Sequence, residues 1–244
     1  MRILLVSDIH GNRPALEALR ETYDICLCLG DLVDYGGSPA TAVDWVRTNA
    51  THCVRGNHDH GAAHDVAVTG GIGFKYLSGV TRPLTRERLA PTDLRFLADL
   101  PVTRFLTLDG LKFLLVHATP RDPLDEFAPP DPEFWARRLE GIEADVICVG
   151  HTHVQYALEV NGKLVLNPGS LGLPRDGDPR AGYAILENRN VQLRRYEYPI
   201  DDAIAEIEAT SIPDKAKAML ATVYRTGTLP RTSNGNGHVN GHIG

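Results

Sequence analysis

The sequence predicts an α/β (α+β) protein in which two mixed β-sheets pack face to face with helices outside. The N-terminal part alternates short apolar runs of strand length with helix-like stretches, which is the βαβ rhythm of a parallel sheet. Beyond residue 101 the pattern changes to hairpins, because Asp109-Gly110 and Asn161-Gly162 each separate two apolar runs and supply the positive φ of a tight turn. The number of predicted strands is high enough for two sheets rather than one.

The N-terminal elements follow one another as strand, helix and strand. Residues 2–7 are a predicted strand, and a predicted helix runs from Asn12 to about Tyr23. The run "DICLCLG" is the next strand, Ser38-Pro39 caps and begins a second helix, and "THCVRG" is a third strand. We expect residues 60–100 to form a helical excursion that ends with a helix in "APTDLRFLADLP".

The C-terminal half is predicted to consist of hairpins followed by two helices. A last strand pair, "GYAILEN" and "VQLRRYEY", precedes helices at 200–210 and 213–226. Residues 1–230 are therefore predicted to form a single domain. Residues 231–244 contain Gly, Asn and Ser with almost no large apolar side chain, so we expect a disordered tail.

Composition excludes several classes of protein. The formal net charge of -6 argues against a broad nucleic-acid-binding surface. The longest apolar runs, such as "ILLV" and "FLLV", are far shorter than the roughly 20 residues of a membrane helix. The start "MRILLVSDIHG" has no small-residue cleavage site, and the four cysteines form no CxxC pair and fit small core positions. We expect a cytoplasmic protein without a membrane partner, and nothing in the sequence indicates an oligomeric state.

Five predicted strands end in polar residues of the same kinds. In open α/β sheets, sites form outside the carboxyl ends of strands, so these side chains should converge on one functional site. A single Asp or His after a strand is commonly a turn or core residue, but five such coincidences are difficult to explain in that way. The residues are Asp8, His10, Asp31, Asn57, His58, His117, His151 and His153.

The residue types at these strand ends predict a metal centre. Asp, Asn and His without thiolate suit Mn, Fe, Co, Ni or Zn better than a calcium cage, and we expect Mn first. Seven candidate ligands are too many for one ion and about enough for two that share a carboxylate. Two ions roughly 3.5–4 Å apart activate a water and clamp the phosphate oxygens in displacement at phosphorus. Asp31 is the best-placed bridging carboxylate.

Five blocks carry a resemblance to a known family. The segments "DIHG", "GDLVDYG", "GNHD", "VHATP" and "GHTH" occur in the order found in the calcineurin-like metallophosphoesterases, and the match extends from residue 1 to about residue 200. The resemblance implies a four-layer αββα sandwich with helices on both outer faces and a two-metal site. The segment "NPGSLGLPRDGDPRAGYAIL" further resembles a bacterial branch of small phosphodiesterase-type enzymes, although this block is less diagnostic of chemistry.

The resemblance also implies roles for individual residues. Asp34 would pair with His58, which is not itself a ligand and would protonate the leaving oxygen as general acid. By position, Asp8, His10 and His153 would hold one ion, Asn57, His117 and His151 the other, and Asp31 would bridge them.

One position departs from the pattern of the family's Ser/Thr protein phosphatases. Those enzymes have Arg after the second aspartate of the "GDLVDYG" block, where this chain has Tyr35. A positive group that helps to hold a dianionic monoester is therefore absent from that position. Arg13, Arg55 and Arg175 are candidates to supply charge to the substrate, with Arg175 ranked first.

These observations predict a metal-dependent phosphoesterase that uses a dinuclear metal-bound hydroxide on phosphodiesters or small phosphorylated metabolites. A phosphoprotein (Ser/Thr) phosphatase is the alternative within the hydrolases. A non-catalytic binding scaffold is a third reading, because the retromer subunit that resembles this family has lost the catalytic histidine, whereas His58 is present here. The natural substrate would depend on residues 60–100 and on the Pro-rich loop at 119–135.

Overall fold

The computed structural model describes residues 1–230, and the predicted tail at 231–244 lies outside the described residues. Within residues 1–230 there are ten strands and eight helices. The strands are β1 (Arg2–Val6), β2 (Ile25–Cys28), β3 (His52–Cys53), β4 (Thr103–Leu108), β5 (Leu111–Val116), β6 (Val146–Cys148), β7 (Gln155–Val160), β8 (Lys163–Pro168), β9 (Ala181–Glu187) and β10 (Asn190–Tyr196). The helices are α1 (Arg13–Ala18), α2 (Pro39–Asn49), α3 (Asn57–His64), α4 (Gly73–Arg88), α5 (Pro91–Asp99), α6 (Pro132–Arg138), α7 (Ile200–Glu208) and α8 (Asp214–Thr226).

The strands form two mixed sheets of five, which confirms the predicted fold class. The first sheet has the order β10-β9-β1-β2-β3 and the second has the order β4-β5-β6-β8-β7. In the first sheet β1, β2 and β3 are parallel, and in the second β5, β6 and β8 are parallel. The hairpins β4–β5 and β7–β8 turn at the two predicted dipeptides, where Asp109, Gly110, Asn161 and Gly162 all have positive φ. Each sheet therefore has a central parallel part with carboxyl ends that can carry a site.

Alternate residues of β1 explain how the layers pack. Leu5 faces the second sheet and joins a buried cluster with Phe113 and Leu166, whereas Leu4 faces the outer helices. On the other side of the molecule Trp135 of α6 packs against Ile147 and its neighbours. Because both faces of the central strands are covered, these strands are nearly continuous apolar runs. Helices thus lie on both outer faces of the sandwich.

The four cysteines occupy this core, as the sequence predicts. Cys26, Cys28 and Cys53 pack on the helix side of the first sheet, and Cys148 lies between the sheets. All four are buried free thiols. They act as small apolar side chains.

Three local predictions need correction. Helix α1 ends at Ala18 rather than near Tyr23, because residues 19–24 return to the sheet as extended chain, with Asp24 N donating to Arg2 O at 2.9 Å. Strand β3 has only two residues, since Arg55 N donates to Pro101 O instead of continuing the ladder.

The third correction concerns the Pro-rich loop, which contains the short helix α6. Asp131 caps this helix by accepting from Glu133 N at 2.9 Å, and Pro132 is its first residue. Asp followed by Pro is a helix-start signal that was available in the sequence.

The remaining helices lie close to the predicted positions. Residues 60–100 contain α4 and α5 as well as most of α3. The C-terminal helices α7 and α8 confirm the predicted pair. No helix in residues 1–230 combines the length and the apolarity that a membrane span requires.

Candidate metal centre

The site lies where the carboxyl ends of the parallel strands of both sheets meet. The loops after β1, β2 and β3 come from the first sheet, and those after β5 and β6 come from the second. The predicted strand ends thus converge across the two sheets of the sandwich and not along one edge of a single sheet. These loops bring together all eight strand-end residues: Asp8, His10, Asp31, Asn57, His58, His117, His151 and His153.

Four of these residues form a first cluster of potential ligands. In this cluster the Nε2 atoms of His10 and His153 are 3.1 Å apart. Each ring directs Nδ1 at a backbone carbonyl, Val33 O for His10 and Leu173 O for His153, so Nδ1 must carry the hydrogen. Two neutral rings held in this way present lone pairs to each other, and a metal ion between them would relieve that contact. The cluster consists of Asp8, His10, Asp31 and His153, with one ligand atom of each within 4.8 Å of the others.

Asp31, His117 and His151 form a second cluster by the same criterion. The ring of His117 donates from Nδ1 to Leu29 O at 2.7 Å and places Nε2 3.1 Å from Asp31 Oδ2. Asn57 lies beside His151 in the same cleft, and its Oδ1 is buried without a hydrogen-bond partner. Asn57 is thus a candidate for a further oxygen ligand beside this cluster.

Asp31 is the residue that the two clusters share. Its Oδ2 lies 3.1 Å from His117 Nε2 in one cluster and 3.8 Å from His10 Nε2 in the other. Its Oδ1 is occupied by a hydrogen bond from His58 N at 2.9 Å. One carboxylate oxygen is therefore left to face both clusters at once.

The backbone at the site adopts an uncommon conformation. Seven of the twelve non-glycine residues with positive φ in residues 1–230 belong to these loops. Such residues cost of order 1–3 kcal/mol each and persist where the surrounding fold holds them, often at functional sites. They are Asp8, His10, Asp31, Asp34, Tyr35, His151 and His153.

The protonation equilibria favour a positive charge between the carboxylates. Burial works against ionisation of Asp8 and Asp31, but the neighbouring histidines hold the pKa of both carboxyls below the usual range. Burial also opposes the charged form of His117, yet Asp31 and Asp8 raise its pKa to about 10. Burial and the charge of His117 lower the pKa of His151 to about 3.

The donor set fits divalent metal ions. The carboxylates are ionised and the ring of His151 is neutral, which are the forms that bind metal. Asp8 Oδ1 and Asn57 Oδ1 are buried atoms that lack a hydrogen-bond partner. Burying a polar atom without a hydrogen-bond partner costs free energy unless another group binds that atom.

Asp59 and Gly56 support the shared carboxylate, and sequence reasoning gave neither a role. Asp59 accepts hydrogen bonds from Asp31 N and Leu32 N, both at 2.8 Å, and from Gly56 N at 3.0 Å. A Cβ at Gly56 would collide with Asp31 Oδ1. The block "GNHD" thus also positions Asp31. The sequence signal for this role was Asp59, which lies three residues after the N-cap Gly56 of α3.

The segment "NPGSLGL", whose first two residues end β8, holds the loops of the site in place. Ser170 Oγ donates to Asp8 O at 2.7 Å, and Asn167 Nδ2 donates to Gly150 O at 2.7 Å. Leu173 supplies the carbonyl that fixes His153. This segment contributes no residue to the two clusters, but it orients the loops after β1 and β6, which do.

Asp34 and His58 form a buried pair next to the clusters. His58 Nδ1 and Asp34 Oδ2 are 2.7 Å apart, which places Nε2 on the cleft side of the ring. Arg82 of α4, which sequence reasoning did not identify, donates from Nε to the same oxygen at 2.7 Å. Burial would raise the pKa of Asp34, but these two partners lower it.

A cleft of about 480 Å³ opens beside this pair and is lined by Asn57, His58, His151 and Arg175. The guanidinium of Arg175 lies 3.7 Å from the centre of the Phe74 ring and donates to Tyr35 Oη at 3.2 Å. Arg175 is therefore positioned at the cleft.

The other two arginine candidates point away from the cleft. Arg13 pairs with Glu17 and Glu206, and Arg55 donates to Ala98 O. Both are held by partners elsewhere on the surface, so the structure does not bring them to the metal clusters.

Comparison with known proteins agrees with the geometry. The model of the calcineurin-like phosphoesterase superfamily domain matches residues 1–190. An uncharacterized protein of Methanocaldococcus jannaschii is 30% identical over 239 residues, covering 87% of this chain and 94% of that protein. The phosphodiesterase YfcE of Escherichia coli is 29% identical over 195 residues, covering 77% of this chain and 88% of that protein. The crystal structure of a metallophosphoesterase from Sphaerobacter thermophilus superposes with a TM-score of 0.79 at 31% identity, covering 93% of this chain and 99% of that one.

Proposed function

Because the chain belongs to the calcineurin-like phosphoesterase superfamily and is therefore a phosphoric ester hydrolase, we propose that it cleaves phosphodiesters or small phosphorylated metabolites with two divalent metal ions. The observation that carries this proposal is the position of Asp31, whose Oδ2 faces both ligand clusters. The similarity to a phosphodiesterase supports the substrate class.

The ligand assignment follows the two clusters. The oxygen and nitrogen donors contain no thiolate, which suits Mn first and also Fe, Co, Ni or Zn. When bound, two such ions supply Lewis acidity to the phosphate oxygens and activate the attacking water. Asp8, His10 and His153 would hold one ion, Asn57, His117 and His151 the other, and Asp31 would contact both.

His58 acts as the general acid in this proposal. The Asp34 carboxylate fixes Nδ1 as the protonated nitrogen on its side of the ring, so Nε2 faces the substrate. Hydrolysis breaks the bond between phosphorus and the leaving oxygen while the oxygen of water becomes bonded to phosphorus. The leaving oxygen takes the proton of His58 Nε2, the proton lost by water passes to solvent, and His58 recovers a proton from solvent.

Arg175 holds a non-bridging oxygen of the phosphate in this proposal. The acidic residues next to it in sequence, Asp176 and Asp178, pair with Arg195 instead, which leaves the guanidinium of Arg175 for substrate. Tyr35 occupies the place of a second arginine. Fewer cations beside the ligands favour a monoanionic diester over a dianionic monoester, and this argues against a phosphoprotein phosphatase.

We also propose that the enzyme acts in the cytoplasm on a phosphate ester of low molecular weight. Four buried free thiols in residues 1–230 are typical of a reducing compartment. The net charge of -6 does not favour a broad nucleic-acid-binding face.

The substitution His58→Ala tests the chemical part of the proposal. Loss of a general acid lowers the rate by roughly 10²–10⁴. The loss should depend on the leaving group, because a nitrophenolate departs without a proton whereas an alkoxide requires one. We expect kcat for an alkyl diester to fall much more than kcat for its nitrophenyl analogue, with the manganese content unchanged.

Two further variants sharpen this test. Asp34→Asn should give the same pattern in weaker form, because it disturbs the tautomer of His58 and leaves the ring in place. His64→Ala, at the exposed end of the same helix, should match the wild type. Equal losses on good and poor leaving groups, with metal retained, would make His58 a phosphate-binding residue and refute its role as acid.

A further inference from the structure

Helix α4 contacts the catalytic pair through one face. Thr81 Oγ1 accepts a hydrogen bond from Tyr35 N at 3.1 Å, and Ser78 Oγ lies 2.7 Å from Tyr35 Oη. Arg82, the next residue on this face, reaches Asp34. Asp34 and Tyr35 both have positive φ, at 67° and 61°. The strained turn that presents Asp34 to His58 is therefore held from outside by α4.

Arg82 makes the strongest of these contacts. Its Nε and Nη2 lie 2.7 and 2.6 Å from Asp34 Oδ2, the same oxygen that accepts from His58 Nδ1. Arg82 is only 7% exposed and Asp34 is fully buried. Both contacts converge on this one oxygen, and hydrogen bonds from a charged guanidinium to a carboxylate are stronger than those between neutral groups. Arg82 therefore holds in place the Asp34 oxygen that orients His58.

The neighbouring helix leaves room for this guanidinium. Gly61 lies on α3, one turn after His58, and a Cβ at Gly61 would collide with Arg82 Nη1. Glycine in the interior of a helix is otherwise unfavourable relative to alanine. The absence of a side chain at Gly61 is therefore explained by the passage of Arg82 to Asp34.

We propose that Arg82 is a positioning residue for His58, acting through Asp34, and that Gly61 is the clearance that lets it do so. The inference rests on the proposed function of His58 as general acid. Helix α4, which lies within the predicted excursion at residues 60–100, would then take part in the chemistry as well as lining the cleft.

A purely structural role for Arg82 has a different signature. Arg82 also donates from Nη1 to Val66 O at 3.2 Å and so ties down the loop before α4. If anchoring this loop were the only role of Arg82, its substitution would change KM and thermal stability, and the change in activity would not depend on the leaving group. A positioning role lowers kcat selectively for poor leaving groups.

The first experiment compares variants on the alkyl and nitrophenyl diesters used for His58. Arg82→Gln should lower kcat on the alkyl diester by about 10–100-fold and kcat on the nitrophenyl diester by a few-fold at most, with KM and manganese content retained. Gly61→Ala should give the same selectivity although alanine is the better helix former. Arg86→Gln is the matched control, because Arg86 lies one turn further on α4 and pairs with Asp65 rather than Asp34.

The outcomes separate the two proposals. If His58→Ala is selective for poor leaving groups and neither Arg82→Gln nor Gly61→Ala is, the positioning role is wrong and the general acid stands. If His58→Ala is not selective, the proposed acid is wrong and the inference about Arg82 fails with it. If Arg86→Gln reproduces the selective loss, the effect belongs to docking of α4 and the specific role of Arg82 is refuted.

A second readout does not depend on activity or on metal. In the metal-free protein the Nδ1 hydrogen of His58 is buried against Asp34 and should give a protected downfield proton resonance. Arg82→Gln and Gly61→Ala should broaden this resonance through faster exchange with water, while Arg86→Gln leaves it sharp. An unchanged resonance in both Arg82→Gln and Gly61→Ala would overturn the proposal.

Discussion

Replacing Asp31 with asparagine removes one negative charge at the point where the two ligand clusters meet. The new amide oxygen can keep the hydrogen bond from His58 N, which is 2.9 Å long in the wild type. The amide nitrogen then takes the place of Oδ2, 3.1 Å from His117 Nε2 and 3.8 Å from His10 Nε2. An NH2 group offers no lone pair to a cation, so Asp31→Asn should weaken both ion sites together.

The size of the effect follows from the number of clusters that each carboxylate serves. One ion at a free concentration of 100 times its Kd stabilises the folded protein by about 2.7 kcal/mol, so two ions contribute roughly 5 kcal/mol. In a domain of this size each kcal/mol corresponds to about 2–4 °C, and manganese should raise the wild-type Tm by roughly 10–20 °C. Asp31 belongs to both clusters and Asp8 to one. Asp31→Asn should lose nearly all of the shift and Asp8→Asn about half.

Thermal unfolding with chelator and with excess manganese measures these shifts directly. Asp44→Asn is a matched control, since Asp44 is an exposed aspartate on α2 whose partner is Arg47. It should retain the full wild-type shift. If Asp31→Asn kept the wild-type shift, or lost no more than Asp8→Asn, Asp31 would not be the shared ligand.

Three further substitutions test the surroundings of the site. Ser170→Ala removes a buried hydroxyl that donates to Asp8 O, so urea unfolding of the metal-free protein should show a loss of about 1–3 kcal/mol, and an unchanged midpoint would contradict this. Gly56→Ala drives a Cβ into the Asp31 carboxylate, so calorimetric titration should detect little manganese binding, and wild-type affinity would refute the clash. Arg175→Gln should raise KM for a diester by about 10-fold or more with a smaller change in kcat, because a charged hydrogen bond is lost, and an unchanged KM would exclude Arg175 from the phosphate contact.

The parts of the molecule that the sequence predicts are those encoded by local chemistry. Asp109-Gly110 and Asn161-Gly162 fix two hairpins because few other dipeptides tolerate positive φ at both positions. The strand-end residues could be found for a similar reason, since an apolar run that ends in Asp or His is visible without knowledge of the partners.

The parts that the sequence does not predict depend on contacts between distant segments. Arg82 reaches Asp34 across 48 positions of sequence, and no local pattern distinguishes it from a surface arginine. Arg13 is the converse case, because it adjoins a ligand block in sequence but pairs with Glu206 of α7 in the structure. Helix α1 ends early because Asp24 must meet the start of β1, which helix propensity cannot anticipate.

The proposed chemistry depends most directly on two ions that share Asp31. Anomalous diffraction from crystals soaked in manganese locates the ions without reference to activity. We predict two peaks roughly 3.5–4 Å apart, one beside His10 and His153 and the other beside His117 and His151, with Asp31 Oδ2 contacting both. A single peak at saturating manganese, or two peaks of which only one contacts Asp31, would contradict the account.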